Sequence, residues 1–517
     1  MSDLETQVLI IGGGATGTGL ARDLALRGVQ CILVEKEDLN AGASGGNHGL
    51  LHSGARYVSN DPISAEECRL EANLLKQLAP QCVEETGGIF VAVEGDDENY
   101  IADFPLLCSK CGIPIREISR DEAFEKEPCI SEKLIAAYLT EDGAIDPFKL
   151  SLENMAQAQS LGCSCLQHTK VIGFEMRKNR IEAVHVLNTE SGQQKRIKID
   201  QVVNASGVWA AEVAALANIP IDNMLYSKGS LLVTAHRLSH RVINRLRPPS
   251  DGDILVPGGT VSILGTTSVR VRSLDNVRPT VSEVDLIVDE LSEVVPSLQE
   301  ARYVRAYSGV RPLTQTQEAG DDRAVSRGYA VLDHTHDGLE NFTTITGGKL
   351  TTYRLMAEKT ADLVCKKLGV SSPCLTLTEP FPSAKKGKWT EPGLSPRVWL
   401  KESTPRKPIL CECEMIPEDI IDDIVETIRD ENGTPSLKAV AARSRMGKGL
   451  CQGTVCGIRV SAHLYEQGIF HQDQGLENIK AFLGERWKGE RTVLWGEQLI
   501  QTGFKEAVYC GLLDLEL

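Results

Sequence analysis

Residues 8–17 read VLIIGGGATG, and Glu35 follows at the end of the next apolar run, QCILVEK. Gly12-x-Gly14-x-x-Gly17 after a hydrophobic strand predicts a tight turn into a helix whose N-terminus faces a pyrophosphate, with the acid 18 residues beyond Gly17 placed to hold a ribose hydroxyl. Gly12 permits the turn, Gly14 the close approach of a ligand, and Gly17 the packing of helix on strand. Leu20, Leu24 and Ala25 fall on one helical face and Gly28 supplies the stop, so residues 7–36 form one βαβ unit. Glu35 disfavours a 2′-phosphate and suits FAD or NAD, which the spacing alone does not separate.

Outward from this unit, apolar runs at 170–176, 181–187, 201–205, 230–236, 261–265 and 329–333 predict strands, and 64–79 and 150–161 predict helices. The expected fold is a mixed α/β enzyme of the Rossmann type with a second, partly antiparallel substrate sheet. VVNASGVWA at 202–210 and ITGGKLTTYR at 345–354 each follow a strand and bring small residues where backbone can approach a ring system, favouring FAD; tight turns are the plainer reading. Residues 373–408 hold seven prolines and AKKGK without clear periodicity, a linker pattern. The organisation expected is an oxidoreductase domain over 1–372, the linker, a small helical domain over 409–465 and an extension over 466–517.

Acidic residues outnumber basic ones 71 to 55, for a net charge of −16, which disfavours nucleic-acid binding. A polar start and the lack of any long apolar run point to a cytoplasmic protein that reaches a membrane through a partner or a surface helix. Fifteen cysteines in such a chain read as thiols and metal ligands. Cys411-x-Cys413, then 37 residues, then Cys451-x₄-Cys456 supply the four thiolates of a [2Fe–2S] cluster, with structural zinc as the rival. Cys108-x-x-Cys111 and Cys163-x-Cys165 have no second pair at a fitting distance and read as packing, and His334 and His336 as a polar turn.

Taken together, GGGATGTGLARDLALRG, GNHGLLHSGARY, GAIDPFKL, VVNASGVWA, KGSLLV, DILVPGGTVSILGTTS, RAYSGVRPL and ITGGKLTTYRLMAE resemble the FAD-dependent glycerol-3-phosphate dehydrogenases of the D-amino-acid-oxidase-like superfamily. The resemblance covers nearly the whole chain. GERWKG at 484–489 and the cysteine region are similar to the large A chain of the anaerobic, multi-subunit bacterial form, and CECE with GLCQGTVC resembles the bacterioferritin-associated ferredoxins.

The resemblance implies oxidation of sn-glycerol 3-phosphate to dihydroxyacetone phosphate by hydride transfer to FAD. It also implies two partner subunits, one a second flavoprotein and the other a membrane-associated iron–sulfur protein, with menaquinone as distant acceptor, and it associates FMN with the complex. Arg56 and Arg311 would face the substrate, with Tyr57 beside them, Lys349 near the flavin and Arg354 in support. Surface salt bridging is the bland alternative for the arginines. His52, with His48 nearby, is the proton-acceptor candidate; relatives carrying KGSH offer another histidine where this chain has Leu231, which leaves the base open. Ser44, Asn47, Leu50, Val171, Ser206, Gly347, Gly348 and Leu350 complete the implied cofactor contacts. A 2-hydroxyacid dehydrogenase, whose carboxylates would use the same arginines, and a non-catalytic electron relay are the competing readings.

Overall fold

The computed structural model describes residues 3–221, 224–275, 277–314, 328–382, 408–430 and 433–515. Most of the proline-rich stretch, 383–407, lies outside the described residues.

The strand Asp3–Ile11 sits in the middle of a sheet, paired in parallel with Gln194–Asn204 on one side and Cys31–Val34 on the other. Ser164–Leu166 and Phe342–Gly347 extend the parallel arrangement outward. Val8, Leu9 and Ile10 are fully buried, as a parallel sheet covered on both faces requires. The helix Ala15–Leu26 packs on one face with Pro147–Ser160 and Tyr353–Leu368. Gly19 makes that approach possible, because a Cβ there would lie 2.8 Å from the ring of Tyr353. On its other edge the first half of Gln194–Asn204 pairs antiparallel with Arg180–Asn188, which hairpins to Thr169–Arg177.

A second sheet of nine strands, mostly antiparallel, stands against the first. Its longest ladder joins Met224–Thr234 to Tyr303–Thr314 and sets Ser227 opposite Arg311. The helix Val281–Ser292 covers its back, started by a reciprocal cap between Thr280 and Glu283 and buried through Val284, Ile287 and Leu291.

The C-terminal region forms a short hairpin, Ile409–Cys411 with Ile416–Pro417, followed by helices Glu418–Asp430, Leu437–Ser444, Cys456–Glu466 and Gln474–Glu490. One apolar core unites Ile421, Val425, Val460 and Leu464 with Phe482, Tyr509 and Leu515, so residues beyond 466 share the core of the cysteine-bearing helices. This unit rests on the dinucleotide half through Arg443 to Asp38 at 2.9 Å and Arg445 to Asp146 at 3.1 Å.

Candidate active site

A cavity of about 600 Å³ opens where the parallel strands end and the second sheet begins. Gly12 has φ +113°, and a Cβ on it would lie 2.6 Å from the carbonyl oxygen of Ala205. A Cβ on Gly17 would collide with the carbonyl of Gly12. These glycines therefore hold the turn closed under the N-terminus of Ala15–Leu26. Gly14 caps that helix with no side-chain acceptor, leaving its first N–H groups and its positive dipole end toward the cavity. Ser44 Oγ accepts from the Ala15 N–H at 2.9 Å. Glu35 accepts from the Gly13 and Glu37 N–H groups at 2.7 and 2.9 Å, and burial raises its pKa. An acid beside a glycine cradle that any Cβ would fill is the donor and acceptor set of a dinucleotide site, and FAD fits it.

Around this cradle the structure gathers Asn47, Leu50, Val171, Ser206, Gly347, Gly348 and Leu350. Asn47 braces its loop by donating to the Ser44 carbonyl at 2.6 Å and accepting from the Gly49 N–H at 2.7 Å. Gly347 and Gly348 both have positive φ, +83° and +74°. Gly17 lies under the turn, off the cavity wall. Sequence reasoning missed Lys36, whose ammonium sits 3.5 Å from the centre of the Trp209 ring at the cavity edge, and Thr266, which holds Arg311.

At the other end the same cavity receives Arg56, Arg311, Lys349, His52 and Tyr57. Arg56 Nη2 donates to Asp253 at 2.7 Å, whereas its Nη1 is buried without a hydrogen-bond partner. Arg311 lies across Gly229, where a Cβ would strike the guanidinium, and donates to Thr266 Oγ1 at 2.6 Å and the Thr267 carbonyl at 3.2 Å. Lys349 Nζ stands 4.8 Å from the Tyr57 ring centre. His52 Nε2 and the Tyr57 hydroxyl are 3.3 Å apart. Burial, then the neighbouring His48, Arg56 and Lys349, hold the His52 pKa well below the ordinary range. His48 is lowered to about 3 by burial, Arg311 and Arg56. Both imidazoles are therefore neutral near pH 7, the form that accepts a proton.

Arg354 is not on this wall. It is buried in a two-pronged pair with Glu71, at 2.6 and 2.8 Å, and a further bond to Glu358 at 2.7 Å, so it braces the helix Tyr353–Leu368. In the KGSL segment, Lys228 pairs with Glu283 at 2.7 Å, and Leu231 is packed at 1% exposure.

Cys411, Cys413, Cys451 and Cys456 converge on one another: Cys451 is hydrogen-bonded to Cys413 and Cys456, and Cys456 also to Cys411. Backbone N–H groups of Glu414 and Gly447 point at the Cys411 sulfur, and those of Gly453 and Val455 at the Cys451 sulfur. The neighbouring thiols first, and then these N–H groups, pull Cys411 and Cys451 below their ordinary range, while Cys413 and Cys456 are pushed up. Among the described residues no group of three or more His, Cys, Asp and Glu side chains is arranged to hold a metal ion. Elsewhere, Cys108 and Cys111 pack in an apolar cluster, Cys163 lies 2.8 Å from Cys31, and His334 is bonded to Asp337 and Thr344.

Fold and site together define a flavin-dependent oxidoreductase with one sheet for the nucleotide and another for the reacting end. The family described as FAD dependent oxidoreductase (DAO) matches residues 7–363. The chain is 40% identical over 533 residues to the A chain of the anaerobic glycerol-3-phosphate dehydrogenase of Escherichia coli strain K12, covering 99% of this chain and 97% of that one. It is 37% identical to the A1 chain of the anaerobic glycerol-3-phosphate dehydrogenase of Haloferax volcanii, over 98% and 90% of the two chains. Among solved structures, glycerol-3-phosphate dehydrogenase from Bacillus halodurans complexed with FAD shares the fold, with TM-score 0.64 and 19% identity over 95% of this chain and 96% of that one. The chain belongs to the FAD-dependent oxidoreductase (DAO) family and, within it, to the family of the A chains of the anaerobic glycerol-3-phosphate dehydrogenases.

Proposed function

We propose that this protein oxidises sn-glycerol 3-phosphate to dihydroxyacetone phosphate. The observation that carries the reading is Arg56 Nη1, a buried donor without a partner, in the cavity that also receives Arg311 and Lys349. A buried guanidinium donor left unmatched is costly, and a phosphate dianion satisfies it with a charge-assisted bond. Arg56 and Arg311 grip the phosphate, and Lys349 adds a third positive charge. His52, neutral and aligned by Tyr57, takes the hydroxyl proton at Nε2. Gly12, Gly14, Glu35 and Ser206 would hold FAD, which would supply the acceptor for the hydride of carbon 2.

The four cysteines would hold a [2Fe–2S] cluster, which would supply one-electron chemistry. Support comes from their mutual contacts and from the four backbone N–H groups aimed at two of the sulfurs. Electrons leave toward menaquinone through two partners, a second flavoprotein and a membrane-associated iron–sulfur protein; that the relatives are named as one lettered subunit of an enzyme supports an assembly. FMN belongs to that assembly without an assigned residue here. Among the described residues no helix is long and apolar enough to cross a membrane; in this reading the membrane-associated partner makes the contact with the bilayer.

Initial rates with a soluble dye as acceptor test the substrate directly. sn-Glycerol 3-phosphate should exceed 2-hydroxyglutarate in kcat/KM by at least a hundredfold. The reverse order would transfer the arginines to a hydroxyacid.

A further inference from the structure

A second chamber of about 250 Å³ lies between the second sheet, with residues 144–148 beside it, and the C-terminal unit. Arg305 and Tyr307 enter it from the strand Tyr303–Thr314, and Arg445, Lys448 and Arg486 enter from the C-terminal unit. Its two acids, Asp146 and Glu84, are already engaged by Arg445 at 3.1 Å and Arg237 at 2.7 Å.

Three cations remain. Among the described residues Arg305, Lys448 and Arg486 make no ion pair with a carboxylate, and the Nε atoms of Arg305 and Arg486 are buried without hydrogen-bond partners. Lys448 lies 4.1 Å from the centre of the Phe148 ring, and Arg486 Nη1 reaches only the neutral Gln452 carbonyl at 3.2 Å. Burial lowers Lys448 to about 8, and the guanidiniums of Arg445 and Arg486 add to that effect. Asp146 and Glu414 act on Lys448, Glu485 and Glu490 on Arg305, and Cys451 and Cys456 on Arg486, all without a direct ion pair.

Two guanidiniums, each with an unpartnered Nε donor, and one ammonium lining one chamber suit an anion of more than one negative charge. We propose that this chamber is a second anion site, built for a phosphate dianion, free or at the end of a small phosphomonoester. Arginine forks match the oxygen edges of phosphate and form short, strong bonds to it. A ligand there bridges the two halves of the molecule, since Arg305 belongs to one and Lys448 and Arg486 to the other. The proposal does not depend on which alcohol is oxidised in the first cavity.

Equilibrium dialysis of the FAD-loaded full chain with labelled inorganic phosphate tests it. One phosphate per chain should remain bound in Arg311→Gln, which disables the flavin-side cavity. Its affinity should fall at least tenfold in Arg305→Gln/Arg486→Gln and at least threefold in Lys448→Gln. Unlabelled glycerol 3-phosphate added as competitor separates the sources: displacement assigns the chamber to phosphomonoesters, and its failure to free phosphate. Phosphate binding that vanishes in Arg311→Gln would overturn the proposal, as would binding insensitive to both the double variant and Lys448→Gln. If Arg486 serves only the thiolates, no second phosphate binds at all, which also overturns it. Should the double variant fail to fold, Lys448→Gln decides alone.

Discussion

Arg305 and Arg311 leave the same face of one strand, Tyr303–Thr314, yet enter different chambers. The residues alternate in facing, so 305, 307, 309 and 311 align over about 20 Å. Between them Gly309 touches Gly46, and a Cβ on Gly309 would strike the Gly46 carbonyl. A single strand thereby presents one cation to the flavin-side cavity and another to the interdomain chamber.

Arg311→Lys keeps a positive charge but removes the fork held by Thr266 and Thr267. A lost charge-assisted bond is worth about 1.5–3 kcal/mol, so KM for glycerol 3-phosphate should rise about tenfold to a hundredfold, with flavin content unchanged. Steady-state kinetics on the flavin-matched variant checks this.

His48 and His52 make stability depend on pH. Their folded pKa values are depressed, His48 to about 3, against about 6.5 in the unfolded chain. Below that value the unfolded state binds the proton first, so their contribution is intact above about pH 6.5 and is lost progressively as pH falls toward the folded value. At pH 5 His48 alone should cost about 2 kcal/mol relative to neutral pH. Urea melts at pH 7.5 and 5.0 should show that His48→Asn loses less stability on acidification than the parent.

Arg354→Met leaves the carboxylates of Glu71 and Glu358 without their buried partner. Breaking such a pair costs about 3–5 kcal/mol. The denaturation midpoint should drop accordingly, while KM of the folded fraction stays the same. A raised KM with unchanged stability would return Arg354 to the site.

Cys456→Ser removes the sulfur bonded to both Cys411 and Cys451. Iron, acid-labile sulfide and the paramagnetic signal of the reduced cluster should disappear, with FAD retained. Stoichiometric zinc in the parent protein would instead point to a structural ion.

The nucleotide cradle is legible in the sequence because its determinants are local. Gly12, Gly14, Gly17 and Glu35 fall within one βαβ unit, where spacing fixes position. The strands expected at 170–176, 181–187 and 261–265 emerge for the same reason, each carrying its own period. Arg354 misleads because adjacency to GGKLTTY says nothing about which way a helix turns its side chains; here it turns toward Glu71. The interdomain chamber is invisible in the sequence because Arg305, Lys448 and Arg486 meet only through the docking of two units. The shared core beyond residue 466 is hidden likewise, since Phe482 and Tyr509 find their partners in helices that precede them.

The most direct measurement is an anaerobic titration of the FAD-loaded protein with sn-glycerol 3-phosphate, followed by its visible spectrum. The account predicts loss of the oxidised flavin band as the alcohol is added, with dihydroxyacetone phosphate formed in equal amount and no such change in Arg311→Ala. An unaltered spectrum from fully loaded protein would contradict it.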